Sequence, residues 1–139
     1  MITFDKDYDP VNEGDIQNLE QLIGNELPED YKAHLLQCNG GSIPLWYEYV
    51  FIHGKNELFL GGFHQLKHGD GNIETYYNHK HDFLYPKLLP IGAITGGSLA
   101  IGYQDDNKGE IHVYFSDEGP YKIANSFTEF IEALEIREA

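Results

Sequence analysis

The segment LPEDYKAHLLQCNGGSIPLWYEYVFI, Leu27 to Ile52, constrains this chain more than any other, because one periodicity ends there and another begins. Pro28 suits the first turn of a helix, where its fixed φ fits and its missing N–H costs nothing. Glu29 and Asp30 complement the positive end of the helix dipole. Leu27, Tyr31, Leu35 and Cys38 recur at helical spacing and mark the face turned to the core. Asn39-Gly40-Gly41 stops the helix, and glycine there lets the backbone take positive φ. The following strand can then start close against the helix. From Pro44 the residues are aromatic and β-branched, PLWYEYVFI, which favours a strand.

The rest of the chain extends this pattern. In NEGDIQNLEQLIG, Asn12 is a candidate N-cap, with Asp15 replacing the glutamate of a capping box. Ile16, Leu19, Leu22 and Ile23 form an apolar stripe, and Gly24 suits a left-handed C-terminal cap. ELFLGGF, residues 57–63, is a second strand. Residues 64–86 are ambiguous: Gly69-Asp70-Gly71-Asn72 reads as a turn, and Ile73 to His81 as either connector or a helix presenting Ile73, Tyr76 and Tyr77. LLPIG, a glycine break and SLAIGYQDDNKGEIHVYF follow, with Asp105 to Gly109 as the loop of a hairpin. Ser126 caps a helix carrying Phe127, Phe130, Ile131 and Leu134. Two helices, a run of mainly antiparallel strands and a closing helix make an α+β fold. At 139 residues the expectation is one domain, 1–139.

Charge narrows the function. The formal net charge is −14, which repels phosphate backbones and argues against nucleic acid as a partner. It serves either plain solubility or attraction to a basic protein. The single Cys38 cannot form an internal disulfide, which points to a reducing compartment. No apolar run approaches the roughly 18 residues of a membrane span, and MITFDKDYDP lacks the basic and apolar regions of a signal peptide. A cytoplasmic protein without a membrane partner is expected.

Reactive constellations fail on spacing. His64 and His68 stand four apart, but Gly61-Gly62 and Gly69-Asp70-Gly71 bracket them and disfavour the helix that would align them. His79 and His81 flank Lys80 in what reads as a solvated turn. Ser98 follows Gly96-Gly97 but opens a strand, whereas a nucleophile elbow needs strand, turn and helix. Asp105 to Glu110 lacks the alternating oxygen donors of a calcium loop. No phosphate-binding or dinucleotide fingerprint occurs. Neither catalysis nor a metal or other cofactor is expected.

The ordered set of motifs resembles the SMI1/KNR4 family, within the SUKH superfamily of bacterial immunity proteins and fungal cell-wall regulators. The resemblance is carried by Ile16, Leu19 and Glu20, then Leu27-Pro28-Glu29-Asp30-Tyr31, Leu35, Leu36 and Asn39-Gly40-Gly41. Leu89-Pro90-Ile91-Gly92, Gly96-Gly97, Ile111 to Phe115 and Ala124-Asn125-Ser126-Phe127-Thr128-Glu129-Phe130 complete it, over roughly residues 12–135. It implies a non-catalytic α+β domain that binds a protein. Bacterial members are typically encoded beside polymorphic toxins, often nucleases, and neutralise them by binding. Fungal members act in cell-wall synthesis, usually within longer chains. The resemblance therefore implies an immunity protein facing a basic toxin domain, with a regulatory scaffold of cell-wall synthesis as the alternative.

Interface hot spots favour Trp and Tyr, while charges steer and orient. The candidate partner-binding residues are accordingly Trp46, Tyr47 and Glu48, then Asp105, Asp106 and Glu110 on the hairpin, with Asp117 and Glu118 beyond. Strand alternation sends Trp46 and Tyr47 to opposite faces, so at least one of them is expected in the core. Exposed strand edges leave a homodimer open.

Overall fold

The computed structural model describes residues 2–6, 8–79 and 87–138. Lys80 and His81, and with them the end of the helix read from Ile73 to His81, lie outside these.

The first two helices form where their ends are written. In α1, Glu13–Ile23, the Asn12 side chain accepts from the Asp15 amide at 2.9 Å while Asp15 accepts from the Asn12 amide at 3.0 Å. Gly24 closes the helix at φ 80°. Ile16, Leu19 and Ile23 are buried, but Leu22 is exposed; the stripe is one residue narrower than its sequence suggests. In α2, Glu29–Gln37, Pro28 precedes the first turn, and Leu27, Tyr31, Leu35 and Cys38 all face inward.

Gly40 and Gly41 then turn the chain at φ 81° and 116°. A Cβ on Gly40 would stand 2.8 Å from the His64 carbonyl oxygen, and one on Gly41 would meet Phe4 and Cys38 at 2.8 and 2.9 Å. Any side chain here would clash as well as strain the backbone. The close approach draws Gly41 against Phe63 and Ser42 against Asp5 as single bridges.

The strands are β1 Tyr47–His53, β2 Asn56–Phe63, β3 Leu88–Ile94, β4 Gly97–Gly102, β5 Ile111–Phe115, β6 Tyr121–Ala124 and β7 Glu135–Glu138. Between β2 and β3 lies α3, Ile73–His79, and between β6 and β7 lies α4, Phe127–Ala133. Ser126 caps α4 by accepting from the Glu129 amide at 3.0 Å. All pairings are antiparallel, in the order β6-β5-β4-β3-β2-β1-β7. Strands β1 to β6 are therefore a meander, and α4 carries the chain back across the sheet to add β7 beside β1.

Alternation assigns the faces. Tyr49, Phe51, Leu58, Leu60, Leu99, Ile101, Ile111 and Val113 line one face and share a single core with Ile16, Leu19, Tyr31, Leu35, Ile73, Phe127 and Phe130. Each of the four helices among the described residues contributes to that core. The sheet curls: His53 on β1 lies with its ring 5.2 Å from Tyr121 and 6.2 Å from Phe115, although β2, β3 and β4 intervene in the sheet. One end of the sheet thus closes on itself. At the opposite end Phe4, Phe63, His34 and Phe127 pack ring against ring.

Candidate functional site

Among the described residues the most exposed large apolar side chains stand in the turn that leads into β1. Tyr47 donates its amide to the Pro44 carbonyl at 3.0 Å, so Leu45 and Trp46 form the tip of a turn. Strand alternation therefore does not govern Trp46. Leu45 is 77 % exposed, Trp46 74 % and Tyr47 44 %. The expectation that at least one of the two aromatics packs into the core is corrected: both face solvent. What lies behind the turn is anchored. Tyr49 donates its hydroxyl to the Thr3 carbonyl, and its ring stands 5.5 Å from Phe4.

Register connects this turn to β7. Tyr47 pairs with Glu138, Glu48 with Arg137, and Val50 with both Glu135 and Phe59. Glu48, Val50, Ile52, Phe59, Glu57, Glu135 and Arg137 thus share the face of the sheet away from the helices. Ile52 and Phe59 are exposed on it. Arg137 reaches from β7 across β1 to Glu57 on β2 in a two-pronged ion pair. Val50, on the strand beneath that bridge, is buried. The guanidinium holds the Glu57 carboxyl below its ordinary range.

The other candidates lie elsewhere. Asp105, Asp106 and Glu110 occupy the β4–β5 loop, at the same end of the sheet as Tyr47, with β2 and β3 between. Lys87 pairs with Asp106 at 2.9 Å and lowers its proton affinity. Glu110 contacts His112 at 3.2 Å and Lys122 at 3.3 Å. Asp105 is exposed. Asp117 and Glu118 sit in the β5–β6 hairpin at the opposite end, where Glu118 accepts from the Tyr121 hydroxyl. The eight residues therefore fall into three groups, and the group around Trp46 is the one that joins aromatic and acidic surface.

Sequence reasoning missed Leu45, Ile52, Phe59 and the whole of β7. Alternation was the available signal for Ile52 and Phe59: each adjoins a core residue, Phe51 and Leu58, and so must face away from it.

Asp15, Glu57 and Asp106 are each held toward the charged form by hydrogen bonds or cations, the reverse of what a general acid requires. His34 and His64 are held neutral by burial. His64 lies parallel to the Tyr76 ring at 4.2 Å, while His68 contacts Asp9 at 3.9 Å. Among the described residues no three His, Cys, Asp or Glu side chains converge as a metal site, and no helix is long and apolar enough to cross a membrane. A cleft of about 340 Å³ between α1 and α2 carries Glu13, Glu20 and Glu29, but Lys32 pairs with the latter two.

Comparison with known proteins adds two findings. The model of the SMI1/KNR4 family (SUKH-1) matches residues 10–133. The SPbeta prophage-derived uncharacterized protein YokK of Bacillus subtilis (strain 168) is similar at 26 % identity, over 91 % of this chain and 77 % of that protein.

Proposed function

This chain belongs to the SMI1/KNR4 family, and from that premise we propose that it is a non-catalytic, protein-binding immunity protein that neutralises a toxin in the cytoplasm. The observation that carries the reading is the exposed Leu45-Trp46-Tyr47 turn beside an acidic sheet edge. A contiguous apolar projection rimmed by charge is what a partner-binding surface requires. The aromatics supply the buried anchor once a partner covers them. Glu48, Glu135 and Glu138 orient a basic partner around it.

The charge of −14 gives the partner a chemistry. A surface that holds nucleic acid is basic, so a nuclease toxin is the class this chain attracts best. Occupying that basic groove blocks the substrate without any reaction. The bacterial origin of the similar prophage-derived protein favours this role over that of the fungal cell-wall regulators.

Co-expression tests the reading. The reading requires a toxin domain encoded beside this chain's gene, and that domain is induced in bacteria with and without the chain. Survival is expected with it and death without it. Equally rapid killing in both cultures would remove the immunity role.

A further inference from the structure

Among the described residues the sheet has seven strands and two lateral edges, β6 and β7. The curl brings β6 against other structure: Tyr121 meets His53 of β1, and Ile123 and Ala124 face Phe130 and Ala133 of α4 across a cleft. β7 is different. It pairs with β1 on one side, and its four described residues are all exposed. The outward N–H and C=O groups of such a strand are a template for one more strand.

Short, charged edges often serve to repel further pairing. A mixed-charge strand does that best when its cations are available to repel basic segments. Arg137 is engaged by Glu57 and lies 3.7 Å from Glu135. Toward an incoming chain this face of the edge therefore presents Glu135 and Arg137, with Glu48 opposite Arg137 and Glu57 taking up its charge, so that three acids to one cation leave the face acidic, while Ile136 lies on the other face. At the Glu138 end stands the Leu45-Trp46 turn, brought there by the Tyr47–Glu138 pairing. A second copy of this chain fits the edge poorly, because each copy carries the same net charge of −14 and repels the other.

We infer that the protein partner engages β7 by strand addition, through an extended segment whose residues alternate basic with apolar. Its basic side chains lie over Glu135 and Glu48, its apolar ones beside Ile136, and the segment runs past Trp46. This rests on the protein-binding reading above and specifies its mode: backbone pairing supplies the ladder, and the aromatic turn marks its end.

The test uses the full chain, labelled with 15N, and a capped eight-residue peptide alternating lysine and valine. Two control peptides carry N-methyl groups on one or the other alternate set of amides. Chemical-shift changes and slowed amide exchange are expected at Glu135 to Glu138 and at Trp46. One methylated peptide is expected to bind about tenfold more weakly, as loss of edge-facing hydrogen bonds requires, while the other binds like the parent. Changes confined to other acidic surfaces overturn the proposal. So does equal binding by all three peptides, which would mean charge attraction alone. Protection of β7 in the free chain that disappears on dilution would assign the edge to a second copy, and likewise overturns it. The two readings separate cleanly: toxin protection without edge binding removes only strand addition, whereas edge binding without protection removes only the immunity role.

Discussion

Asn39 does more than stop a helix. Its side chain donates to the carbonyls of Asp9 at 2.9 Å and Leu66 at 3.0 Å, and accepts from the Leu66 amide at 2.7 Å. One buried amide thus ties the lead-in segment, the end of α2 and the chain leaving β2. Replacing it with alanine leaves the Leu66 amide without its partner, at a cost of about 2–3 kcal/mol. Urea unfolding of Asn39→Ala is expected to show a lower midpoint with an unchanged slope. The sequence marked Asn39 as a turn residue because that role is local; its partners are distant in the chain and could not be read there. His64 gives a prediction of different kind. Burial depresses it from 6.5 to about 4, so the folded form holds it neutral while the unfolded form takes up a proton first. Its contribution is therefore complete above roughly pH 6.5 and is lost as pH falls toward 4. Between pH 7 and pH 5, the native chain is expected to lose more stability than His64→Asn, measured by urea unfolding at both values. Equal losses would show that burial of this imidazole does not govern the acid response.

At the scale of elements, α1, α2 and α4 were legible because their starts are local chemistry, whereas α3 fell in a segment that read ambiguously. Asn12, Pro28 and Ser126 each announced a start, and Gly24 a stop; α2 instead ends at Gln37 with extended Cys38 as its cap, and Gly40 and Gly41 turn the chain after it. The terminal sheet strands were not legible. β6 and β7 are four residues each, and YKIA and EIRE lack an apolar run; pairing with a neighbour defines them, and that neighbour is fixed by the fold. The turn before β1 was misread for a related reason. PLWYEYVFI has strand composition throughout, yet the hydrogen bond from Tyr47 to Pro44 holds its first residues off the sheet. Because Leu45 and Trp46 are exposed, replacing both with serine should change stability by only about 0.5 kcal/mol. Under the proposed function the same pair should weaken toxin binding by about 2 kcal/mol or more. Thermal unfolding and calorimetric titration measure the two effects, and a large loss of stability with unchanged affinity would make the turn structural.

For the whole molecule, an ordered series of short motifs was enough to read the fold class and the family. The candidate surface was only partly readable, because strand order in space separates residues that composition groups together. Asp105, Asp117 and Glu48 look alike in sequence and stand in three different places. Net charge, by contrast, acts over the whole molecule and needs no register. Association with a basic toxin domain should slow by about tenfold or more between roughly 20 and 200 mM salt. Stopped-flow rates across that range measure it, and a salt-independent rate would show that long-range attraction contributes nothing.

The path of the chain also bears on when a binding surface exists. Strands β1 to β6 pair with neighbours in sequence, so their contacts are available early to a folding chain. The junction of β1 with β7 joins segments 85 to 91 residues apart in a chain of 139 and must wait for α4 to dock; such non-local closures are the slow ones. An unfinished chain would present β1 as its open edge, without the Glu135 and Ile136 that β7 adds. A partner that pairs with β7 would then select finished molecules over incomplete ones, and by holding the junction shut it would slow their unfolding.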